Sequence, residues 1–347
     1  MDSNFTFKNL FFVCYFIFLL STDVLAQHEN VYAIHQEELA INNSDFHKIL
    51  FECNETLKHD ANNKEALYKR GVIKTELGSF KSAQNDFTKA LHLAHGNKVD
   101  IYYRRGISYF LENDFLNAIS DFDSAIHIQP NHVKALWKKA QSYYQIGAQS
   151  LTLKTLDQIS IVNPEDAVTW HDMGTLYHKN HQPHKAKDCF TTALILDPKM
   201  SSSYNHRGMI YESLDEIAKA FDDYNRAIFY DSAFVDAYNN RGLIYLKFED
   251  FVEAENDFSS AITHGIHLHK EALNNRAITR YLTGRFSESL TDINTLINNY
   301  PYYANAYITR GNIKERLHDD AGACSDWHKA AELGMLVGLK YAQGTCH

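Results

Sequence analysis

Small apolar and aromatic residues recur at fixed intervals along most of this chain. A glycine or alanine returns every 34 or 35 residues, at Gly71, Gly106, Ala140, Gly174, Gly208, Gly242, Ala277 and Gly311. Each interval contains two apolar stripes at helical spacing, as in Tyr238, Gly242 and Tyr245 followed by Ala254, Phe258 and Ala261. A period of this length with two amphipathic segments predicts helix pairs that stack on the pairs before and after them.

The recurring glycine or alanine defines the eighth place of a repeat and sets the repeat boundaries. The sequence predicts eight repeats, at 64–97, 99–132, 133–166, 167–200, 201–234, 235–268, 270–303 and 304–337. A degenerate repeat is predicted at 27–63 and a C-terminal capping helix at 338–347. Proline marks the turn into the next repeat at Pro130, Pro164, Pro198 and Pro301.

This pattern resembles the tetratricopeptide repeat, a helix-turn-helix unit. The motif residues of one copy are Trp170, Gly174, Tyr177, Ala186, Phe190, Ala193 and Pro198. The resemblance implies an all-α fold, a right-handed superhelical solenoid. It also implies a non-catalytic scaffold that binds a peptide or protein segment in a concave groove and uses no cofactor. Residues 323–334 are similar to the closing unit of secreted bacterial proteins of this family.

The first 26 residues resemble a cleaved secretory signal peptide. An apolar run at 10–20 precedes Val24, Leu25 and Ala26, which resemble a cleavage site. The run is shorter than the roughly 20 residues that a spanning helix needs, so the mature chain is predicted to have no transmembrane span. The protein is therefore predicted to be secreted or periplasmic, with an uncleaved anchor as the alternative.

Charge and cysteine spacing limit the partners and the covalent links of the chain. The net charge of −9 disfavours nucleic acid as a partner. In a stacked array Cys53 and Cys189 lie too far apart to be bridged, whereas Cys324 and Cys346 could form a disulfide. Buried free thiols are the alternative.

Two charged places vary together among the repeats. Arg occupies the seventh place in six repeats, at Arg70, Arg105, Arg207, Arg241, Arg276 and Arg310. The same repeats carry Asp at the twenty-third place, at Asp86, Asp121, Asp223, Asp257, Asp292 and Asp326. We infer a guanidinium–carboxylate pair, within a repeat or between neighbours. An Arg row that binds a polyanion is the rival interpretation.

The resemblance places the second, fifth, ninth and twelfth places of the first helices on the concave side. The candidate binding residues are Tyr68, Tyr103, Trp137, His171, Asn205, Asn239, Asn240, Asn274 and Asn275. The amides are predicted to hold a peptide backbone, because they both donate and accept, and the aromatic residues to supply apolar contacts. The alternatives are solvated side chains and aromatic residues at the edge of the core.

The sequence leaves two other functional hypotheses. Aromatic and amide side chains also suit sugar rings, so a glycan-binding envelope protein is the alternative function. The sequence contains no phosphate-binding loop, zinc-protease pair or nucleophile elbow. An enzyme or a metal-binding protein is therefore the weaker hypothesis.

Overall fold

The computed structural model describes residues 43–265 and 269–346. These residues form 18 α-helices and no strand, which confirms the predicted all-α repeat fold. The chain divides between Leu196 and Asp197 into two compact units, here called unit one and unit two. The predicted signal peptide at 1–26 lies outside the described residues, as does the first part of the predicted repeat at 27–63.

Unit one consists of nine described helices. They are α1 (Asn43–His59), α2 (Lys64–Glu76), α3 (Phe80–Leu93), α4 (Val99–Leu111), α5 (Phe115–Ile128), α6 (Val133–Gln145), α7 (Gln149–Val162), α8 (Ala167–Lys179) and α9 (Pro183–Leu196). From α2 onward each even-numbered helix packs against the odd-numbered helix that follows it, and the two form one repeat.

Unit two also consists of nine described helices. They are α10 (Ser201–Ser213), α11 (Ile217–Tyr230), α12 (Val235–Lys247), α13 (Phe251–His264), α14 (Lys270–Leu282), α15 (Phe286–Asn299), α16 (Ala304–Arg316), α17 (Asp320–Glu332) and α18 (Val337–Thr345). The first eight form four pairs, and α18 packs against α17.

The eighth-place residue sets how closely the two helices of a repeat approach. A Cβ atom on Gly242 would stand 2.8 Å from Cε1 of Phe258, so the ring fills the space above the glycine. The same contact joins Gly71 to Phe87, Gly106 to Phe122, Gly174 to Phe190, Gly208 to Tyr224 and Gly311 to Trp327. The aromatic ring at the twenty-fourth place therefore explains why glycine recurs at the eighth place of these six repeats.

The two repeats with alanine at the eighth place carry a smaller residue opposite it. Ala140 and Leu156 are buried in one cluster, and Ala277 and Ile293 in another. An aliphatic side chain leaves room for the alanine methyl group. The eighth and twenty-fourth places therefore vary together in size, as close packing of the two helices requires.

The predicted Arg–Asp pair is confirmed in all six repeats. In one of them Arg241 donates from Nε and Nη2 to the two carboxylate oxygens of Asp257, at 2.8 and 2.7 Å. Its Nη1 donates to Asn225 of the preceding repeat at 2.7 Å. The corresponding Nη1 contacts in other repeats reach Asn54, Thr88, Ser259 and Asn294. The Arg–Asp ion pair lies within a repeat, and the remaining Nη1 group of the Arg links that repeat to the preceding one.

One repeat without this Arg replaces the pair by a link to its neighbour. Lys139 occupies the seventh place, and Thr155 stands where the others carry Asp. Lys139 Nζ lies 2.6 Å from Asp123 Oδ1, in the preceding repeat. The positive charge is again paired with a carboxylate. This carboxylate belongs to the preceding repeat, at the position where other repeats carry the neutral acceptors Asn, Thr or Ser.

The C-terminal helix closes unit two. The ring of Tyr341 on α18 lies 5.7 Å from that of Trp327, and a disulfide joins Cys324 to Cys346. Cys53 and Cys189 are buried free thiols. Burial raises the pKa of the Cys189 thiol to about 12, so this thiol stays protonated and unreactive near neutral pH.

Candidate functional site

The fifth, ninth and twelfth places of the first helices lie on one side of each helix, since they are four and three residues apart. In each unit, we call the surface that these places form its first-helix face. In unit one it belongs to α2, α4, α6 and α8, and in unit two to α10, α12, α14 and α16.

The aromatic candidates of unit one differ in accessibility. Tyr68 is half-buried and its hydroxyl donates to Asp100 of the next repeat; burial and this bond raise the pKa of Tyr68. Tyr103 is buried, with ring centroids at 6.1 Å from Phe122 and 5.0 Å from His132. Tyr103 therefore belongs to the core and offers a ligand little surface.

The next two repeats also have one half-buried and one buried ring at the fifth place. Trp137 is half-buried against the cluster around Leu136, whereas His171 is buried with its ring 5.4 Å from that of Phe190. At the twelfth place, Phe110 and Tyr144 are half-buried. On the first-helix face of unit one, the accessible aromatic surface thus comes from Tyr68, Phe110, Trp137 and Tyr144.

A lysine lies among these aromatic residues that the sequence analysis did not single out. Lys138 Nζ donates to Gln141 Oε1 at 3.0 Å and lies 4.8 Å from the centroid of the Phe110 ring. Burial lowers the pKa of Lys138 to about 8. The sequence contained one signal for Lys138. Lys139 replaces the seventh-place Arg of other repeats, whereas the repeat pattern does not account for a lysine at position 138.

The amide candidates of unit two are brought together as pairs that join consecutive repeats. Asn240 Nδ2 donates to Asn205 Oδ1 at 2.9 Å, and Asn275 Nδ2 donates to Asn239 Oδ1 at 3.0 Å. In the last pair, Thr309 donates to Asn274 Oδ1 at 3.1 Å. The fifth place of each repeat therefore accepts from the sixth place of the next.

Burial of this amide row gives it a structural role in unit two. All five Asn side chains are at most 5% exposed. Their oxygens at the fifth place are engaged by the neighbouring repeat, and Asn239 Nδ2 is buried without a hydrogen-bond partner among the described residues. Binding of a peptide backbone by Asn205, Asn239 and Asn274 stays a prediction, and it would use the Nδ2 groups.

The described part of the chain shows neither a metal site nor a membrane span. Within 43–265 and 269–346, no three His, Cys, Asp or Glu side chains are grouped so that they could hold a metal ion. None of the helices in these ranges combines the length and apolar character that a membrane span requires.

Sequence comparisons identify related repeats. A sequence model of the family described as Tetratricopeptide repeat matches residues 99–132 and 201–233. FK506-binding protein 59 of Drosophila melanogaster is 36% identical over 74 residues, which are 21% of this chain. The chain spans 16% of the length of that curated relative.

Solved structures with the same fold cover most of the chain. A tetratricopeptide repeat protein from Parabacteroides merdae ATCC 43184 is 18% identical, with a TM-score of 0.57 over 73% of this chain and 100% of that one. The C-terminal part of a TPR repeat-containing protein from Cytophaga hutchinsonii is 17% identical, with a TM-score of 0.59 over 71% and 99%. The APC/C hetero-tetramer Cut9–Hcn1 is 14% identical, with a TM-score of 0.57 over 84% and 58%. At these identities the likeness concerns the fold.

Proposed function

We propose that the chain is a non-catalytic scaffold of the tetratricopeptide repeat family. Two of its repeats match the family model, and solved proteins with such repeats share its fold. The scaffold binds a peptide or protein segment on its first-helix face. The partner is held by apolar contacts in unit one, and no reaction follows.

The half-buried aromatic side chains of unit one carry this proposal. Phe110, Trp137 and Tyr144 each pack on core residues along one edge and keep part of their surface accessible. Side chains that are already fixed lose little conformational entropy when a partner binds. Aromatic residues in such positions contribute a large share of the binding free energy at many protein interfaces.

The test compares capture of partners by three forms of the mature protein. Trp137→Ala combined with Tyr144→Ala removes the accessible rings. Phe229→Ala is the matched control, because Phe229 is 80% exposed and lies on α11, a second helix. Proteins retained from the source extract are identified by mass spectrometry, and each dissociation constant is then measured with the purified partner.

The proposal predicts at least about a tenfold loss of affinity for the double variant and a change below about twofold for the control, since an aromatic anchor contributes about 2 kcal/mol or more. Circular dichroism and thermal melting establish that each variant is folded. Equal losses in both variants, or unchanged affinity in the double variant, contradict binding at this face.

We also propose that the protein is secreted or periplasmic. The apolar run and cleavage pattern at 1–26 support this, and so does the Cys324–Cys346 disulfide, because disulfides persist in oxidising compartments. N-terminal sequencing of the protein from its source tests the proposal. The expected first residue is Gln27, and an intact Met1 would contradict cleavage.

A further inference from the structure

Lys138 is a half-buried cation whose contacts are with neutral groups. Its Nζ donates one hydrogen bond, to the amide oxygen of Gln141, and lies over the ring of Phe110. No carboxylate of the described residues is within ion-pair distance of this nitrogen, and burial alone accounts for its lowered pKa. An ammonium ion that has lost water without gaining a counter-charge is unfavourable.

Three other half-buried lysines of the described residues have carboxylate partners. Lys139 pairs with Asp123 at 2.6 Å. Lys74 approaches Asp86 at 2.7 Å, and Lys314 approaches Asp326 at 2.9 Å. The neighbouring Lys139 is the most informative of these, because it shares the helix and the residue type with Lys138. Lys138 differs from these three lysines, because its Nζ contacts an amide oxygen and an aromatic ring instead of a carboxylate.

The ammonium group of Lys138 is placed beside the first-helix face. Gln141 is at the ninth place of its repeat, and Phe110 is at the twelfth place of the preceding one. An ammonium has three donors, and Gln141 uses one of them. One repeat further on, Lys179 Nζ donates to the hydroxyl of Tyr144 at 3.1 Å. A second cation thus follows along the same surface of unit one.

We propose that Lys138 binds a carboxylate of the partner, between Phe110 and Gln141. The segment held by unit one then carries a carboxylate group at this point. This inference rests on the proposed function, because it specifies the chemistry of the partner at the same face. A Glu or Asp side chain and a C-terminal carboxylate offer the same chemistry, and the experiment separates these two sources.

The experiment uses three hexapeptide probes with the mature protein. They are acetyl-hexaglutamate amide, acetyl-hexaglutamine amide and acetyl-hexaglutamine with a free C-terminal carboxylate. Affinity is measured by calorimetry at low salt and pH 7, where Lys138 is mostly protonated. Carbodiimide coupling, which links a carboxylate to an amine that it contacts, is followed by mass spectrometry to locate the linked lysine.

Three variants provide the comparison. Lys138→Gln removes the charge and keeps a polar side chain, whereas Lys138→Arg keeps the charge. Lys139→Gln is the matched control, because the Lys139 charge is already neutralised by Asp123. Circular dichroism and melting temperatures establish that the variants are folded.

The proposal predicts that a carboxylate probe binds at least about tenfold more tightly than the amide-capped glutamine probe, as expected for a charge-assisted hydrogen bond. Lys138→Gln abolishes this difference, whereas Lys138→Arg and Lys139→Gln keep it. Coupling is expected at Lys138. Preference for hexaglutamate identifies a side-chain carboxylate, and preference for the free C-terminus identifies a terminal one.

Equal affinities for the three probes, no measurable binding of any probe, or wild-type affinities in Lys138→Gln overturn the inference. The proposed function has its own test. If the captured partner loses affinity in the Trp137 and Tyr144 variant but keeps it in Lys138→Gln, the binding face stands and the carboxylate site fails. If the captured partner is indifferent to both changes, the binding face itself fails.

Discussion

The side-chain amide of Asn240 donates to Asn205 Oδ1 at 2.9 Å across the boundary between two repeats of unit two. Both side chains are only 2% exposed. A buried acceptor that loses its donor cannot recover the bond with bulk water, so each member of the pair depends on the other. The amide row, proposed from the sequence as a ligand contact, therefore also fixes the register of consecutive first helices.

Asn240→Ala is expected to lower the free energy of unfolding by about 1–3 kcal/mol, because Asn205 Oδ1 is left buried and unsatisfied. Urea unfolding followed by circular dichroism measures the change. Asn62→Ala, at an exposed position, is the control and is expected to change stability by less than about 0.5 kcal/mol. A loss in Asn240→Ala no larger than in the control would show that the pair contributes nothing.

Gly242→Ala is expected to destabilise the protein by about 1–3 kcal/mol, because the added methyl group meets the Phe258 ring. The chain itself contains the remedy, since alanine at this place faces Leu156 in one repeat and Ile293 in another. The double variant Gly242→Ala with Phe258→Ile should be more stable than the sum of the two single changes predicts. Additive losses in the thermodynamic cycle would argue against coupling between the two places.

Arg241→Met is expected to destabilise the protein by about 3–5 kcal/mol at pH 7, because the carboxylate of Asp257 stays buried without its partner. The double variant Arg241→Met with Asp257→Cys copies Met173 and Cys189 of another repeat and should recover most of the loss. Urea unfolding of the wild type and both variants provides the comparison. A double variant as unstable as Arg241→Met would refute this explanation of the paired absence.

The same variant should have an altered pH dependence. Burial raises the pKa of Asp257, while the hydrogen bonds and charge of Arg241 lower it. Without the guanidinium the folded-state pKa rises further above the unfolded value, so protonation stabilises the folded state. Arg241→Met should therefore gain stability relative to the wild type as the pH is lowered from 8 to 5. A constant difference between the two proteins over this range would contradict the prediction.

Cys346→Ser is expected to cost about 3 kcal/mol, the chain-entropy value for a loop with a sequence separation of 22. The effect should be local, since α18 packs mainly on α17. Hydrogen exchange followed by mass spectrometry should show faster exchange in α18 and unchanged rates in α14 and α15. Unchanged exchange in α18 would mean that packing of Tyr341 on Trp327 holds the helix without the disulfide.

The repeat pattern was sufficient to predict the helices and the charge pairs. Small residues recur at the eighth place because the two helices of a repeat cross closely there. The Arg and Asp of a pair, such as Arg241 and Asp257, are present or absent together because neither charge tolerates burial alone. Both constraints act within one repeat, so comparison of the chain with itself exposes them.

The candidate site was less predictable because it depends on contacts between repeats. The fifth-place position of Tyr103 is on the expected face, but Phe122 and His132 cover its ring. The Asn205 oxygen is occupied by a donor 35 positions away in the sequence. Lys138 becomes a candidate only because no carboxylate of the described residues lies near its ammonium group, which the sequence does not reveal. Helical spacing predicts on which side of its helix a residue lies. It cannot predict which side chains of a neighbouring repeat cover that residue.

Hydrogen exchange of the mature protein, alone and with its purified partner, tests the central claim most directly. If the first-helix face of unit one binds the partner, protection should increase in α4, α6 and α8 and stay unchanged in α5 and α7. Protection confined to α5 and α7, or absent from unit one, would contradict the account.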